Sequence, residues 1–170
     1  MGVALGEKGT GSIFLMTDSH VTPTASHTDQ ASSGTACQLS VLLYSDDVAT
    51  RDSVRLAVGR RPARDVEVIS WFECATSAAA IEAVETGKFD LLVLDGEASP
   101  TGGLGLCRQL KDEIFSCPPV LVLTGRPQDG WLAAWSRADL AVPHPLDPMA
   151  VAGAVAELGR RVGASTATSA

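Results

Sequence analysis

Four polar residues that could do chemistry follow short apolar runs in the middle of the chain. They are Asp46 after the first run, Asp95 at the end of the third, Thr124 at the end of the fourth and His144 after the fifth. Two carboxylates from separate runs are the oxygen ligands that a hard cation such as Mg²⁺ prefers. A carboxylate beside such a cation could attack phosphorus and form an aspartyl phosphate, whose oxygens a hydroxyl could then hydrogen-bond.

Each of these residues also has an ordinary structural explanation. Aspartate after a strand is a common helix cap, so Asp46 or Asp47 could simply begin the next helix. A threonine at the end of a strand carries little information by itself. The complete set, with a His144-Pro145 step after the last run, is more specific than any one member.

The elements that must gather these residues alternate between apolar runs and helical stretches. Most of the runs are continuously apolar, which is typical of strands covered on both faces, as in a parallel sheet, and the second is rich in β-branched and aromatic residues. The predicted strands are 41–44, 66–72, 91–94, 120–123 and 140–142. The predicted helices are 47–60, 76–85, 103–114, 128–137 and a last one that Asp147-Pro148 opens.

A strand–helix unit repeated five times predicts right-handed crossovers and a three-layer α/β sandwich. We expect a flavodoxin-like doubly wound (βα)5 fold with a parallel five-stranded sheet of order 2-1-3-4-5. Ligands of such sheets bind at the carboxyl ends of the strands. The candidate residues should therefore meet at one edge of the sheet.

Residues 39–162 resemble the receiver domain of two-component response regulators. In that family an acidic pair after the first strand binds Mg²⁺, an Asp ending the third strand accepts phosphate from a histidine kinase, and a Thr or Ser ends the fourth strand. The resemblance implies that Asp95 is the phosphoacceptor, that Asp46 and Asp95 are metal ligands, and that Thr124 is a switch hydroxyl. Gly103 also matches the glycine that follows the phosphoacceptor loop in this family, and residues 138–148 match the family's pattern around the fifth strand.

Several positions depart from the family pattern. Ser45 stands where the first acid is expected, and Ala141 replaces an aromatic switch residue. Pro100 lies one position later in the loop after the third strand than the family's usual proline. His144 stands where the phosphate-switch lysine is expected, and imidazole with a pKa of about 6.5 is mostly neutral at neutral pH. The departures favour an atypical receiver whose phosphorylation switch is weakened or absent.

Such a module acts by contact with a protein partner or a histidine kinase, or as a homodimer. We expect a stand-alone receiver, because only a short tail follows the last predicted helix. Trp131 and Trp135 share a helix face. We expect at least one of them to cover the core and the other to bind a partner.

Two alternatives remain open at this point. One is a working phosphoacceptor that a histidine kinase phosphorylates on Asp95. The other is a flavin- or nucleotide-binding enzyme on the same fold. The turn after the first strand contains Asp46 and Asp47 but no glycine, so it would repel a phosphate, and a non-enzymatic module is the preferred interpretation.

Composition limits the class of protein further. The 170 residues include 20 acidic and 13 basic side chains, a net charge of −7, which argues against nucleic-acid binding. The hydrophobic fraction of 45% supports a folded domain, and the absence of a long apolar run argues against a membrane span. Four cysteines without metal-ligand spacing suggest buried thiols in a reducing, cytoplasmic compartment.

Both ends of the chain are poor in large apolar residues. Residues 1–38 are rich in Gly, Ser and Thr, so we expect a disordered arm, within which Met16 is an alternative start. We also expect a disordered tail at 163–170. The receiver-like domain is predicted at 39–162.

Overall fold

A computed structural model describes residues 36–168 of the chain. Its elements are β1 Cys37–Tyr44, α1 Val48–Val58, β2 Val66–Cys74, α2 Ser77–Thr86, β3 Leu91–Asp95, α3 Gly103–Glu113, β4 Val120–Thr124, a 3-10 turn Pro127–Asp129, α4 Gly130–Ser136, β5 Leu140–Pro143 and α5 Pro148–Thr168. Residues 1–35, with most of the predicted arm and Met16, lie outside the described residues. The last two arm residues, Cys37 and Gln38, belong to β1.

The five strands form one parallel sheet of order β2-β1-β3-β4-β5, which confirms the predicted flavodoxin-like topology. Register places Leu43 beside Val93, and Val93 beside Leu121. Every residue of β3 and β4 is buried, because helices cover both faces of the sheet.

Alternation along the strands divides the core between the two faces. Leu43 and Val93 pack with α1 and α5 on one side, whereas Leu92 and Leu94 pack with α2 and α3 on the other. The residues that alternate in this way are contiguous in sequence, so a single apolar run supplies both halves of the core. This packing holds the carboxyl ends of β1, β3 and β4 side by side.

Helix α5 is longer than the sequence suggests. The structure extends it to Thr168, across most of the tail predicted at 163–170, so that prediction is wrong for the described part. Two of its glycines allow close packing: a Cβ at Gly159 would lie 2.8 Å from Leu39 Cδ1, and one at Gly163 would lie 3.2 Å from Cys37 Sγ. Even so, neither α5 nor any other helix of residues 36–168 is long and apolar enough to cross a membrane.

The four cysteines of the described region are free, and two of them, Cys74 and Cys107, are buried. Burial raises the pKa of each of these two thiols from 9.0 to about 11. The native protein therefore keeps protons that the unfolded chain releases near pH 9. The stability from these thiols is complete below pH 9 and is lost as the pH rises through about 11.

We expect both buried thiols to resist iodoacetamide at pH 8 in the native protein and to react fully in urea. Peptide mapping of the alkylated cysteines checks this. Denaturation followed by circular dichroism should also show a lower unfolding midpoint at pH 10.5 than at pH 8. Rapid native alkylation of Cys107 would contradict the burial that raises its pKa.

Candidate functional site at the carboxyl ends of the strands

Asp95 lies at the carboxyl end of β3 with 3% of its surface exposed. Its Oδ2 accepts a hydrogen bond from Ser45 Oγ at 2.7 Å, and its Oδ1 accepts one from the Glu97 backbone N–H at 3.0 Å. No cationic side chain of residues 36–168 forms an ion pair with it. Hydrogen bonds from neutral groups therefore hold both oxygens of this buried carboxyl group.

Ser45 is fully buried directly after β1. Its hydroxyl also accepts a hydrogen bond from the Asp47 N–H at 3.1 Å, so one side chain joins the end of β1, the start of α1 and Asp95. A serine contributes a hydroxyl where a carboxylate would contribute a full charge. The group in contact with Asp95 on the β1 side is therefore neutral.

The two aspartates after Ser45 have different roles. Asp47 caps α1, since its carboxylate accepts from the N–H groups of Ala49 at 3.0 Å and Thr50 at 3.3 Å. Those hydrogen bonds, above all the one from Ala49, lower the pKa of the Asp47 carboxyl group. Asp46 is exposed and takes no part in the cap, so it is the acid of this turn that is free for another role.

Thr124 and His144 lie at the ends of the next two strands. The His144 N–H donates to the Thr124 carbonyl oxygen at 2.7 Å, which joins the two strand ends through the backbone. The Thr124 side chain is 2% exposed, and its hydroxyl makes a long 3.4 Å hydrogen bond to the Arg126 carbonyl oxygen. Neither side chain forms a described hydrogen bond with Asp95.

His144 contributes to the lining of an open pocket of about 310 Å³ that also includes Asp47 and Ser53. Its Nε2 is buried and has no hydrogen-bond partner among the described residues. A lysine is longer than histidine and carries its charge at its tip. The structure places His144 directly after β5 without a described hydrogen bond from its side chain to Asp95.

Tyr44 is a site residue that sequence reasoning missed. It is fully buried at the end of β1, and its hydroxyl donates to the Thr101 carbonyl oxygen at 2.6 Å. Burial, followed by the negative charges of Asp46 and Asp95, raises its pKa. Tyr44 ties the loop after β3 to β1, and the available signal was a polar-tipped aromatic residue at the end of an otherwise aliphatic run.

The side chains present do not form a ready Mg²⁺ site. Residues 36–168 contain no group of three or more His, Cys, Asp and Glu side chains that could hold a metal ion. The Asp95 oxygens already accept hydrogen bonds, and Ser45 supplies no charge. The family resemblance implies three carboxylates, an acidic pair after β1 and Asp95. Because Ser45 replaces one acid of that pair, only Asp46 and Asp95 remain as expected metal ligands.

Comparison with known proteins identifies the family, although no family model matches the chain. The uncharacterized response regulatory protein of Mycobacterium tuberculosis strain H37Rv is 52% identical over 122 residues, which cover 72% of this chain and 92% of the relative. Its counterpart in strain CDC 1551 / Oshkosh matches equally well. The chain belongs to the response regulator receiver family. Receivers of this family work in two-component signalling through contact with histidine kinases and other proteins, and they are generally not enzymes.

Solved structures agree with the receiver fold. The receiver domain of the Francisella response regulator 1452 has 17% identity and a TM-score of 0.62, with 72% of this chain and 98% of that chain covered. The signal receiver domain of a putative Luxo repressor protein from Vibrio parahaemolyticus has 17% identity and a TM-score of 0.65, with 78% and 98% covered. At such low identity these matches show the fold alone.

The receiver exposes both tryptophans of α4. Trp131 is 68% exposed and Trp135 is 53% exposed, so the expectation that at least one covers the core is wrong. The seven-residue helix instead buries Ala133 and Ser136, which lie on its other side. Small residues face the sheet because α4 lies close to it, and the large rings are left at the surface.

Proposed function

We propose that this receiver regulates partner proteins by contact and that its phosphorylation switch is weak. The observation that carries the proposal is the hydrogen bond from Ser45 Oγ to Asp95 Oδ2 at 2.7 Å, because Ser45 stands where the first acid of the family's acidic pair is expected. A neutral hydroxyl there attracts a divalent cation less than a carboxylate does. The four free thiols of the described region also suit the reducing cytoplasm.

The lack of a described cationic contact to Asp95 from the end of β5 supports the same proposal. A phosphoryl group on Asp95 carries added negative charge, and a charge-assisted hydrogen bond to it contributes about 1.5 to 3 kcal/mol. The His144 side chain forms no described hydrogen bond with Asp95, and its buried Nε2 has no partner among the described residues. Loss of that contribution lowers the population of the switched state about tenfold or more.

A working phosphoacceptor is the second candidate function, favoured by the burial of Asp95 beside Thr124 on the adjacent strand. A flavin- or nucleotide-binding enzyme is less well supported, since Asp46 and Asp47 occupy the turn after β1 and would repel a phosphate. We therefore assign the domain no turnover of its own.

Incubation with acetyl phosphate and Mg²⁺, followed by intact mass, tests the proposal. In the reaction, an Asp95 oxygen forms a bond to phosphorus, the bond from phosphorus to the acetate oxygen breaks, and acetate leaves with the electron pair. We expect only a small phosphorylated fraction and none in Asp95→Asn. Complete conversion of the wild type would favour the working phosphoacceptor, and an unchanged mass gain in Asp95→Asn would reject Asp95 as the acceptor.

Trp131 and Trp135 are the proposed anchors for a partner or for a second copy of the receiver. We expect Trp131→Ala and Trp135→Ala each to weaken self-association at least tenfold, because buried aromatic anchors contribute about 2 kcal/mol or more. The free energy of unfolding should change little, since both rings are exposed in the monomer. Sedimentation velocity over a concentration series measures the association.

Leu56→Ala is the matched control, since Leu56 is 87% exposed on α1, away from α4. It should leave self-association unchanged. If both tryptophan variants associate as the wild type does, and bind a cognate kinase equally well, α4 is not the docking surface.

A further inference from the structure

β2 forms the edge of the sheet opposite β5, and its outer side is only partly covered. The loop before it covers its first residues. The Val66 N–H donates to the Ala63 carbonyl oxygen at 3.2 Å, and the Val68 N–H donates to the Arg60 carbonyl oxygen at 2.8 Å. Within residues 36–168, no backbone hydrogen bond from a loop or turn reaches 69–73. The second half of β2 therefore presents an open edge, which is a template for pairing with another strand.

Large apolar side chains are exposed along this open edge. Ile69 is 56% exposed and Phe72 is 48% exposed on the strand, and Leu56 is 87% exposed on α1. Leu56 and Trp71 line an open groove of about 590 Å³ where α1 meets β2. Successive residues of a strand point to opposite faces, so a strand added beside β2 would place alternate side chains over this groove and over Phe72.

Arginines outnumber acids around the same edge. Two glutamates of β2, Glu67 and Glu73, each pair with two arginines at 2.6 to 3.3 Å. Arg64 is exposed and forms no ion pair within the described part of the chain, whereas Asp65 pairs with α5. Five arginines against Glu67, Glu73 and the exposed Asp52 leave this edge with two positive charges, although the whole chain has a net charge of −7. The arginines are Arg51, Arg55, Arg60, Arg61 and Arg64.

This excess of positive charge distinguishes between the possible occupants of the edge. Two copies of the receiver joined through β2 would bring like-charged arginine groups together, which is unfavourable, whereas an acidic segment brings the opposite charge. We propose that the edge takes up an extended acidic segment of a partner protein as a sixth strand, with an apolar side chain in the groove beside Leu56 and Trp71. This inference extends the proposed regulation by contact to a second surface, at the sheet edge opposite β5, and it requires no phosphoryl group on Asp95.

Labelled synthetic peptides test the inference on the full chain without a phosphodonor. The probe is a peptide of alternating Glu and Val with blocked ends. One counterpart carries Lys in place of every Glu, and the other carries Pro in place of the two central Val. We expect the acidic peptide to bind and both counterparts to bind at least tenfold more weakly, because lysine reverses the charge and proline cannot donate to a strand ladder. Fluorescence anisotropy measures the dissociation constants.

Leu56→Ala and Arg64→Gln each remove one contact from the edge, and both side chains are exposed, so the fold should be preserved. We expect Leu56→Ala to weaken binding of the acidic peptide about tenfold and Arg64→Gln to weaken it about fivefold. Met149→Ala is the matched apolar control, since Met149 is exposed at the start of α5. Arg126→Gln is the matched charge control, since Arg126 is exposed after β4 and forms no ion pair among residues 36–168. Both controls should bind the peptide as the wild type does.

The outcomes separate this edge from α4 and from other occupants. A loss of binding in Trp131→Ala equal to that in Leu56→Ala would place the peptide on α4 and overturn the inference, while regulation through α4 would stand. Weaker self-association of Leu56→Ala would assign the edge to a second copy, and tighter binding of a DNA duplex than of the acidic peptide would assign it to nucleic acid. Either result overturns the inference. Absence of peptide binding, equal binding of the lysine or proline peptide, or equal binding by the wild type and both edge variants overturns it as well, whatever the extent of phosphorylation.

Discussion

Replacing Ser45 by Asp and His144 by Lys together is expected to raise the phosphorylation of Asp95 by acetyl phosphate and Mg²⁺ at least tenfold. The aspartate supplies the missing carboxylate next to Asp95, and the lysine supplies a cation at the end of β5. A charge-assisted hydrogen bond of about 1.5 to 3 kcal/mol accounts for a factor of ten or more by itself. Intact mass over a time course measures the change.

The single variants separate the two contributions. Ser45→Asp brings a second carboxylate against Asp95, so repulsion should lower its melting temperature without Mg²⁺, and added Mg²⁺ should restore it. His144→Lys should show no such dependence on Mg²⁺. Adding Asp95→Asn to the double variant should abolish phosphorylation. A double variant that reacts no faster than the wild type would show that neither departure limits the switch.

Gly103→Ala is expected to destabilise the receiver by about 1 to 3 kcal/mol or more, because overpacked sites force backbone to move. A Cβ at Gly103 would lie 2.5 Å from the Asp95 carbonyl oxygen and 2.9 Å from the Leu94 carbonyl carbon, so the start of α3 must move off β3. Urea denaturation followed by circular dichroism measures the loss.

Gly105→Ala is its internal control two residues further along the same helix. A Cβ there has nothing within 4 Å, so alanine should stabilise the helix by about 0.5 to 1 kcal/mol. Opposite signs at these two positions are the expected result. Equal stability of the two variants would mean that α3 does not rest on the backbone of Asp95.

Much of the receiver follows from local patterns. Apolar runs and a stretch rich in β-branched and aromatic residues predicted the five strands, and Asp147-Pro148 predicted the start of α5, because strand burial and helix capping depend on neighbouring residues. The end of α5 could not be predicted in this way. Gly163 is a poor helix residue by propensity, yet in the fold it allows α5 to pack against Cys37.

The sequence by itself determined which residues stand at the strand ends, since Asp95 and Thr124 each close an apolar run. Only the tertiary structure decided which atoms meet there: the Ser45 hydroxyl reaches Asp95, and the His144 N–H reaches the Thr124 carbonyl oxygen. The physical reason is one of range. Runs and caps are properties of adjacent residues, whereas these contacts depend on how separate strands and loops are packed and on which way each side chain turns.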